Sequence, residues 1–213
     1  MKTIVPASEL LLETDLLRAS PVQARSNKRL TALLDAAATM VQRHGYEELT
    51  TAAVAKEAGA SIGTVYRYFE DRVAVLKALA TRNYERTIVK SLAALTAARP
   101  GSPSEALHVV FEAYLDLFRR EVGYRSLRTG DVHDIRPNQT IASARLLVDE
   151  LLTDFDKHYS FTRTDAIAQT LEVSIVTIDA LLARAFRDSD TGDDSFITAA
   201  RSVAHAAARD IAG

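Results

Sequence analysis

Hydroxyls, phenols and a guanidinium crowd one short stretch of the chain. Thr64, Tyr66, Arg67 and Tyr68 lie within five residues, and Thr51 stands a little upstream. These side chains donate hydrogen bonds, and one carries a fixed positive charge. Phenols and hydroxyls suit phosphate oxygens, and arginine suits a guanine edge or a phosphate. Chemistry elsewhere is thinner. The chain holds no P-loop or HExxH, and no GxSxG or GxGxxG behind a strand, so no catalytic residue and no cofactor is assigned. Glu150, Asp154 and His158 recur every fourth residue, a spacing that can chelate a metal. That line lies off the apolar stripe Ala144, Val148, Leu151, Phe155 and reads as a solvated polar face. No metal site is assigned. Asp131-Val132-His133-Asp134 is a polar cluster that either caps a helix or lines a ligand mouth.

The elements that must position the first group run from Thr50 to Arg72. Thr50 and Thr51 are good helix caps, because a hydroxyl accepts an unpaired amide hydrogen of the first turn. Val54, Ala55 and Ala58 give that helix a small apolar stripe. Gly59 stands where the chain must turn sharply, with positive φ. Ser61 caps a second helix, on which Ile62, Val65 and Phe69 continue the inward stripe. Thr64, Arg67 and Tyr68 then face outward, with Gly63 and Tyr66 beside them. The pair reads as a helix-turn-helix, with Ala55 small because the second helix crosses close to it.

Thr51, Ala55, Ala58-Gly59, Ser61, Gly63-Thr64-Val65-Tyr66 and Tyr68-Phe69, then a basic residue at Arg72 and Leu76, resemble the DNA-binding domain of TetR-type (tetracycline-repressor-like) transcriptional regulators. The resemblance covers about residues 28 to 76. Ala60 and Arg72 depart from it, standing where the family usually has Val and Lys. It implies that the second helix enters a major groove of a double-stranded DNA operator. Thr64 and Arg67 would read base edges, Ile62 and Gly63 would allow close approach, and Thr51, Tyr66, Tyr68 and Arg72 would hold phosphates. Thr50 and Ser61 belong to the same interface, as do Arg25 and Lys28 from a basic lead-in, PVQARSNKR, which reads either as an arm on DNA or as an ordinary solvated approach to a helix.

Composition agrees with a helical protein: 213 residues, 47% hydrophobic, eight Gly and five Pro. The lack of cysteine excludes disulfides and thiolate chemistry and fits a reducing, cytoplasmic setting. Net charge is −2, yet residues 22–86 carry ten Lys/Arg against seven Asp/Glu, a balance of +3. The basic part is the part with the helix-turn-helix. No run approaches the length of a membrane span, so no membrane partner is expected, and Glu9, Glu13 and Asp15 break any apolar signal segment.

Apolar periodicity predicts helices at about 27–43, 71–98, 102–120, 139–159, 163–187 and 195–211. ARPGSP stops the second of these, and Ser102-Pro103-Ser104-Glu105 opens the third with a capping box. Helix 163–187 is apolar on most sides, and Phe196, Ala199, Ala200, Val203, Ala207 and Ile211 form the inward stripe of the last helix. The expected organisation is all-α: an N-terminal extension at 1–24, a three-helix DNA-binding domain at 25–71, and a larger helical domain at 72–213. The resemblance implies that the larger domain binds a small effector and pairs two copies into a homodimer through its last two helices. A mostly apolar effector would meet Phe111, Tyr114, Phe118, Phe155 and Ile175, near Tyr84 and Ile88, with Arg128 or His133 at the opening. The function that follows is a ligand-responsive regulator, a repressor released by its effector. The alternative is an all-helical small-molecule-binding or enzymatic protein with an incidental helix-turn-helix.

Overall fold

A computed structural model of the chain describes residues 24–128, 139–159 and 161–212. Among them every regular element is a helix: α1 (Ala24–His44), α2 (Thr51–Glu57), α3 (Ile62–Tyr68), α4 (Arg72–Ala98), α5 (Pro103–Arg120), α6 (Tyr124–Arg128), α7 (Gln139–His158), α8 (Asp165–Ala185) and α9 (Asp194–Ala212). The expectations for residues 1–20 and for the 131–134 cluster lie outside the described residues. The described residues divide into two compact units, 24–86 with 122–128, and 87–121 with 139–159 and 161–212. Helix α4 is continuous and contributes to both.

The first unit is a small apolar core under short capped helices. Leu33, Leu34, Ala37 and Val41 of α1 meet Val54 and Ala55 of α2, Val65 of α3, and Leu76 and Leu79 of α4. Thr50 caps α2 by accepting from the Ala53 amide at 3.0 Å, and Asp71 accepts from the Ala74 amide at 2.8 Å at the start of α4. Helix α6, which no expectation placed, joins this unit: Leu127 belongs to the same core. The join is made by Gly123. Its amide donates to Gln42 Oε1 at 2.8 Å, its φ is +73°, and a Cβ built there would lie 2.7 Å from the Ala38 carbonyl oxygen. Only glycine combines that backbone angle with so close a neighbour. Arg82 is buried and donates to Asp35 at 2.7 Å. Burial, and secondarily the neighbouring Arg86, lower its pKa to about 10, so the guanidinium stays charged near neutrality and leans on Asp35.

The second unit packs α9 against α5 and α8, and α8 against α7. The capping box at α5 forms with one difference. Ser102 accepts from the Glu105 amide at 3.2 Å, but Glu105 reaches back to the Gly101 amide at 2.7 Å, one residue before the cap. The inward stripe of α9 is also rotated from expectation. Ile197, Ala200, Ala204, Ala207, Ala208 and Ile211 are buried, while Ala199 is exposed and Phe196 only half-buried. Ala200 and Ala207 therefore belong to the core of their own chain. Helix α8 is not enclosed all round, as its composition suggested: Val173 is 60% exposed and Val176 38%. Helix α8 is 21 residues long and holds an 18-residue stretch of mean hydropathy 1.5, long and apolar enough to cross a bilayer, which corrects the reading that no run reaches that length. Its contacts with α7 and α9 and its buried Asp179 are those of a bundle helix.

Candidate DNA interface and effector cavity

The turn Ala58–Ser61 sets the angle between α2 and α3. Gly59 takes φ +58° with nothing within 4 Å of a Cβ built on it, so the backbone angle alone requires glycine there. Ser61 caps α3 twice over. Its Oγ accepts from the Thr64 amide at 3.2 Å and lies 2.9 Å from Thr64 Oγ1. A second tie joins the two helices across the turn: Thr51 Oγ1 donates to the Tyr66 hydroxyl at 3.3 Å. The phenol is thus held by the hydroxyl expected to act beside it, a pairing that fifteen residues of separation do not show.

On the open side stand Ile62, Gly63, Tyr66 and Arg67, all exposed, with Thr64 half-buried. Tyr66 is 46% exposed although aromatic, and Arg67 makes no hydrogen bond or ion pair among the described residues. Ile62 is 43% exposed, so it belongs to this open face and not to the inward stripe. Lys28 is exposed on α1; Arg25 lies in the first turn of the same helix, its side chain outside what is described.

Two expected members depart from this face. Tyr68 is buried, 3% exposed, in the core that contains Val65 and Phe69. The step of two residues from Tyr66 turns the side chain by about 200° around the helix, and the chain leaves α3 at Phe69, so the ring rotates inward. Arg72 is drawn back into its own unit: Nη2 donates to the Tyr46 carbonyl oxygen at 2.9 Å, and its Nε is buried without a partner. Its place in the sequence resembled that of a phosphate contact, yet its guanidinium braces the loop after α1.

The second unit contains a cavity of about 40 Å³ between α5, α7, α8 and α9. Its walls are Leu107, Val110, Phe111 and Tyr114 of α5, Leu147 and Leu151 of α7, Leu171, Ser174, Ile175 and Ile178 of α8, and Ala204 and Ala207 of α9. Phe111, Tyr114 and Ile175 were expected there. The Tyr114 hydroxyl donates to the buried carboxylate of Asp179, and Ser174 donates to its own helix at Thr170. The other expected wall residues stand elsewhere. Phe118 stacks on Phe186, and Phe155 packs edge-on against Tyr159 and Phe161. Ile88 packs on the second unit's core without lining the cavity. Tyr84 belongs to the first unit. Arg128 ends α6 with its side chain outside what is described, and His133 lies outside the described residues. Leu151 and Leu171 were expected in the core but not as walls, and Leu147 and Ala204 stood outside the expected inward stripes; packing alone decides which residues border a void. His158 of the polar line is exposed and pairs with Asp154 one turn back.

Residues 33–79 match the model of bacterial regulatory proteins of the tetR family, and residues 101–207 match that of the tetracyclin repressor-like C-terminal domain, which alone spans half of the chain. The chain belongs to the TetR family. Its fold agrees. A TetR-family transcriptional regulator from Streptomyces coelicolor superposes with a TM-score of 0.69 at 30% identity, over 87% of this chain and 98% of that one. The fatty acid degradation regulator FadR from Bacillus halodurans shares the fold, with a TM-score of 0.67 at 20% identity over 84% and 94%. The transcriptional repressor KstR of Rhodococcus jostii is 38% identical over 80 residues, 38% of this chain, and the match spans 35% of that relative's length. Membership places the chain among regulatory proteins and not among enzymes.

Proposed function

We propose that the chain is a homodimeric transcriptional repressor. It binds a two-fold-related operator through α3 and releases it when a small, mostly apolar molecule occupies the second unit. The observation that carries this reading is the exposed face of α3, where Arg67 has no hydrogen bond or ion pair among the described residues and Tyr66 is oriented by Thr51. Arg67 and Thr64 are suited to base edges; Tyr66 and Thr51 to phosphates. One such helix touches too few bases for useful specificity, whereas two related by symmetry read half-sites about 34 Å apart. The exposed valines of α8 support the dimer, since Val173 and Val176 lie on one side of that helix with Ala180 also exposed. Action on chromosomal DNA places the protein in the cytoplasm.

Support for the effector is the apolar lining of the cavity, broken by the Tyr114 and Ser174 hydroxyls. Ligand sites hold about 300–1,000 Å³, so a volume of about 40 Å³ takes little more than water until side chains such as Phe111 and Leu107 change rotamer. That repacking is the event a ligand would impose. Helix α4 runs through both units, so a displacement of its second half reaches the first unit through continuous backbone. The coupling is set by the ligand's preference for the released state, typically about 1–3 kcal/mol.

The test is a duplex from the region adjoining the protein's own gene, titrated at several salt concentrations. The proposal expects one dimer per two-fold site and a steep fall of affinity with salt, and addition of apolar compounds from a screen should raise the dissociation rate. Affinity independent of salt and of sequence would overturn it.

A further inference from the structure

We propose that His108 and His205 form a two-histidine site for a divalent transition-metal ion, joining α5 to α9 in the second unit. The two residues are 97 positions apart in the chain, and their Nε2 atoms lie 3.2 Å apart. Two imidazole nitrogens bound to one ion at about 2.0–2.1 Å stand about 3.4 Å apart at a tetrahedral angle and about 2.9 Å at a right angle. The observed spacing falls between these limits, while the ring centroids stand 4.0 Å apart with planes at 66°, so a chelate needs both rings to turn apart until their nitrogens point at one ion. The helices are held one turn along, where Arg201 Nη2 donates to Glu112 at 2.8 Å. That pair also removes a free cation from the neighbourhood of the site.

The chemistry of the donors selects the ion. Neutral imidazoles suit zinc, nickel and copper, whereas magnesium and calcium require oxygen ligands. Among the described residues no third His, Cys, Asp or Glu completes a larger metal-binding group, so water fills the remaining positions. Access permits this, as His205 is exposed and His108 half-buried beside an open groove. The consequence is local. His108 follows Leu107 and His205 follows Ala204, both cavity walls, so a bound ion clamps two sides of the cavity together.

The experiment is calorimetric titration of the tag-free chain with zinc and nickel salts in metal-free buffer, with copper(II) electron paramagnetic resonance on the same protein. One ion per chain is expected, with magnesium giving no heat and the copper spectrum showing two coupled imidazole nitrogens. His108→Ala and His205→Ala should each weaken binding about tenfold or more and reduce the copper pattern to one nitrogen. Both positions lie at the surface, and circular dichroism checks that the variants keep the parent's helix content. Absence of binding, or binding unchanged by both substitutions because His44, His133 or His158 carries it, would overturn the proposal and leave His108 and His205 a hydrogen-bonded pair only.

Discussion

The first unit concentrates its outward chemistry on one seven-residue helix, while the second spreads its inward chemistry over four long ones. On α3 the exposed groups follow one another in sequence, and their supports, Ser61 and Thr51, stand within fifteen residues. Around the cavity, walls as distant as Leu107 and Ala207 must meet. A surface built on a capped helix inherits its geometry from local rules. A void inherits its shape from every helix that borders it, so a change in any one of them moves the whole.

The sharpest break of this comparison separates a core position from a surface position within the second unit. Ala200→Arg puts an unpaired charge where the side chain is fully buried, and loss of the folded second unit is expected, a cost above about 4 kcal/mol read by urea unfolding. Val173→Arg should leave that fold intact, because the valine is exposed, and should shift the proposed dimer to monomer in sedimentation equilibrium. A Val173→Arg protein still dimeric at micromolar concentration would remove α8 from the dimer seam.

Next in size are the glycines. Gly123→Ala meets backbone, the Ala38 carbonyl oxygen at 2.7 Å, so a cost of about 2–4 kcal/mol to the first unit is expected. Gly192→Ala comes nearest to the side-chain ends of Ile197 at 2.7 Å and Phe186 at 2.8 Å rather than to backbone, and should cost less despite φ +88°. Equal costs would mean that the side chains around Gly192 are held as firmly as backbone.

Smaller effects test the DNA face. Arg67→Ala should cost about 1–3 kcal/mol of operator affinity and relax preference at one base pair, with stability unchanged. Tyr68→Phe, at a buried ring, should be read in stability before it is read in DNA affinity. If Tyr68→Phe weakens binding more than Arg67→Ala does, the assignment of the open face is wrong. Thr50→Ala should remove about 1 kcal/mol from the first unit through loss of the cap on α2, seen as a lower thermal midpoint and only a modest loss of operator affinity.

What could be read in the chain without its structure follows the same division. Caps at Thr50, Ser61, Asp71 and Ser102, the turn at Gly59 and the apolar repeats that define the helices are local, since each depends on residues within a turn or two. Helical periodicity was enough to mark α1, α4, α5, α7, α8 and α9, and the motif around α3 was enough to mark its partner. It was not enough to fix rotation. An alanine-rich helix such as α9 offers nearly equivalent stripes, and Ala199 and Ala200 were separated only when α5 and α8 packed against it. The end of α3 misled for a related reason: period alone cannot say that the chain bends at Phe69 and takes Tyr68 inward.

The sequence determined the all-helical class, the helix-turn-helix and the basic balance of the part that holds it, because propensity, capping and charge act over short distances. Tertiary structure alone decided that α6 docks on α1 through Gly123, that Arg72 turns back to Tyr46, which core residues border a cavity, and that His108 meets His205. Those meetings are set by how whole helices pack, and no spacing along the chain encodes a distance between residues that packing brings together.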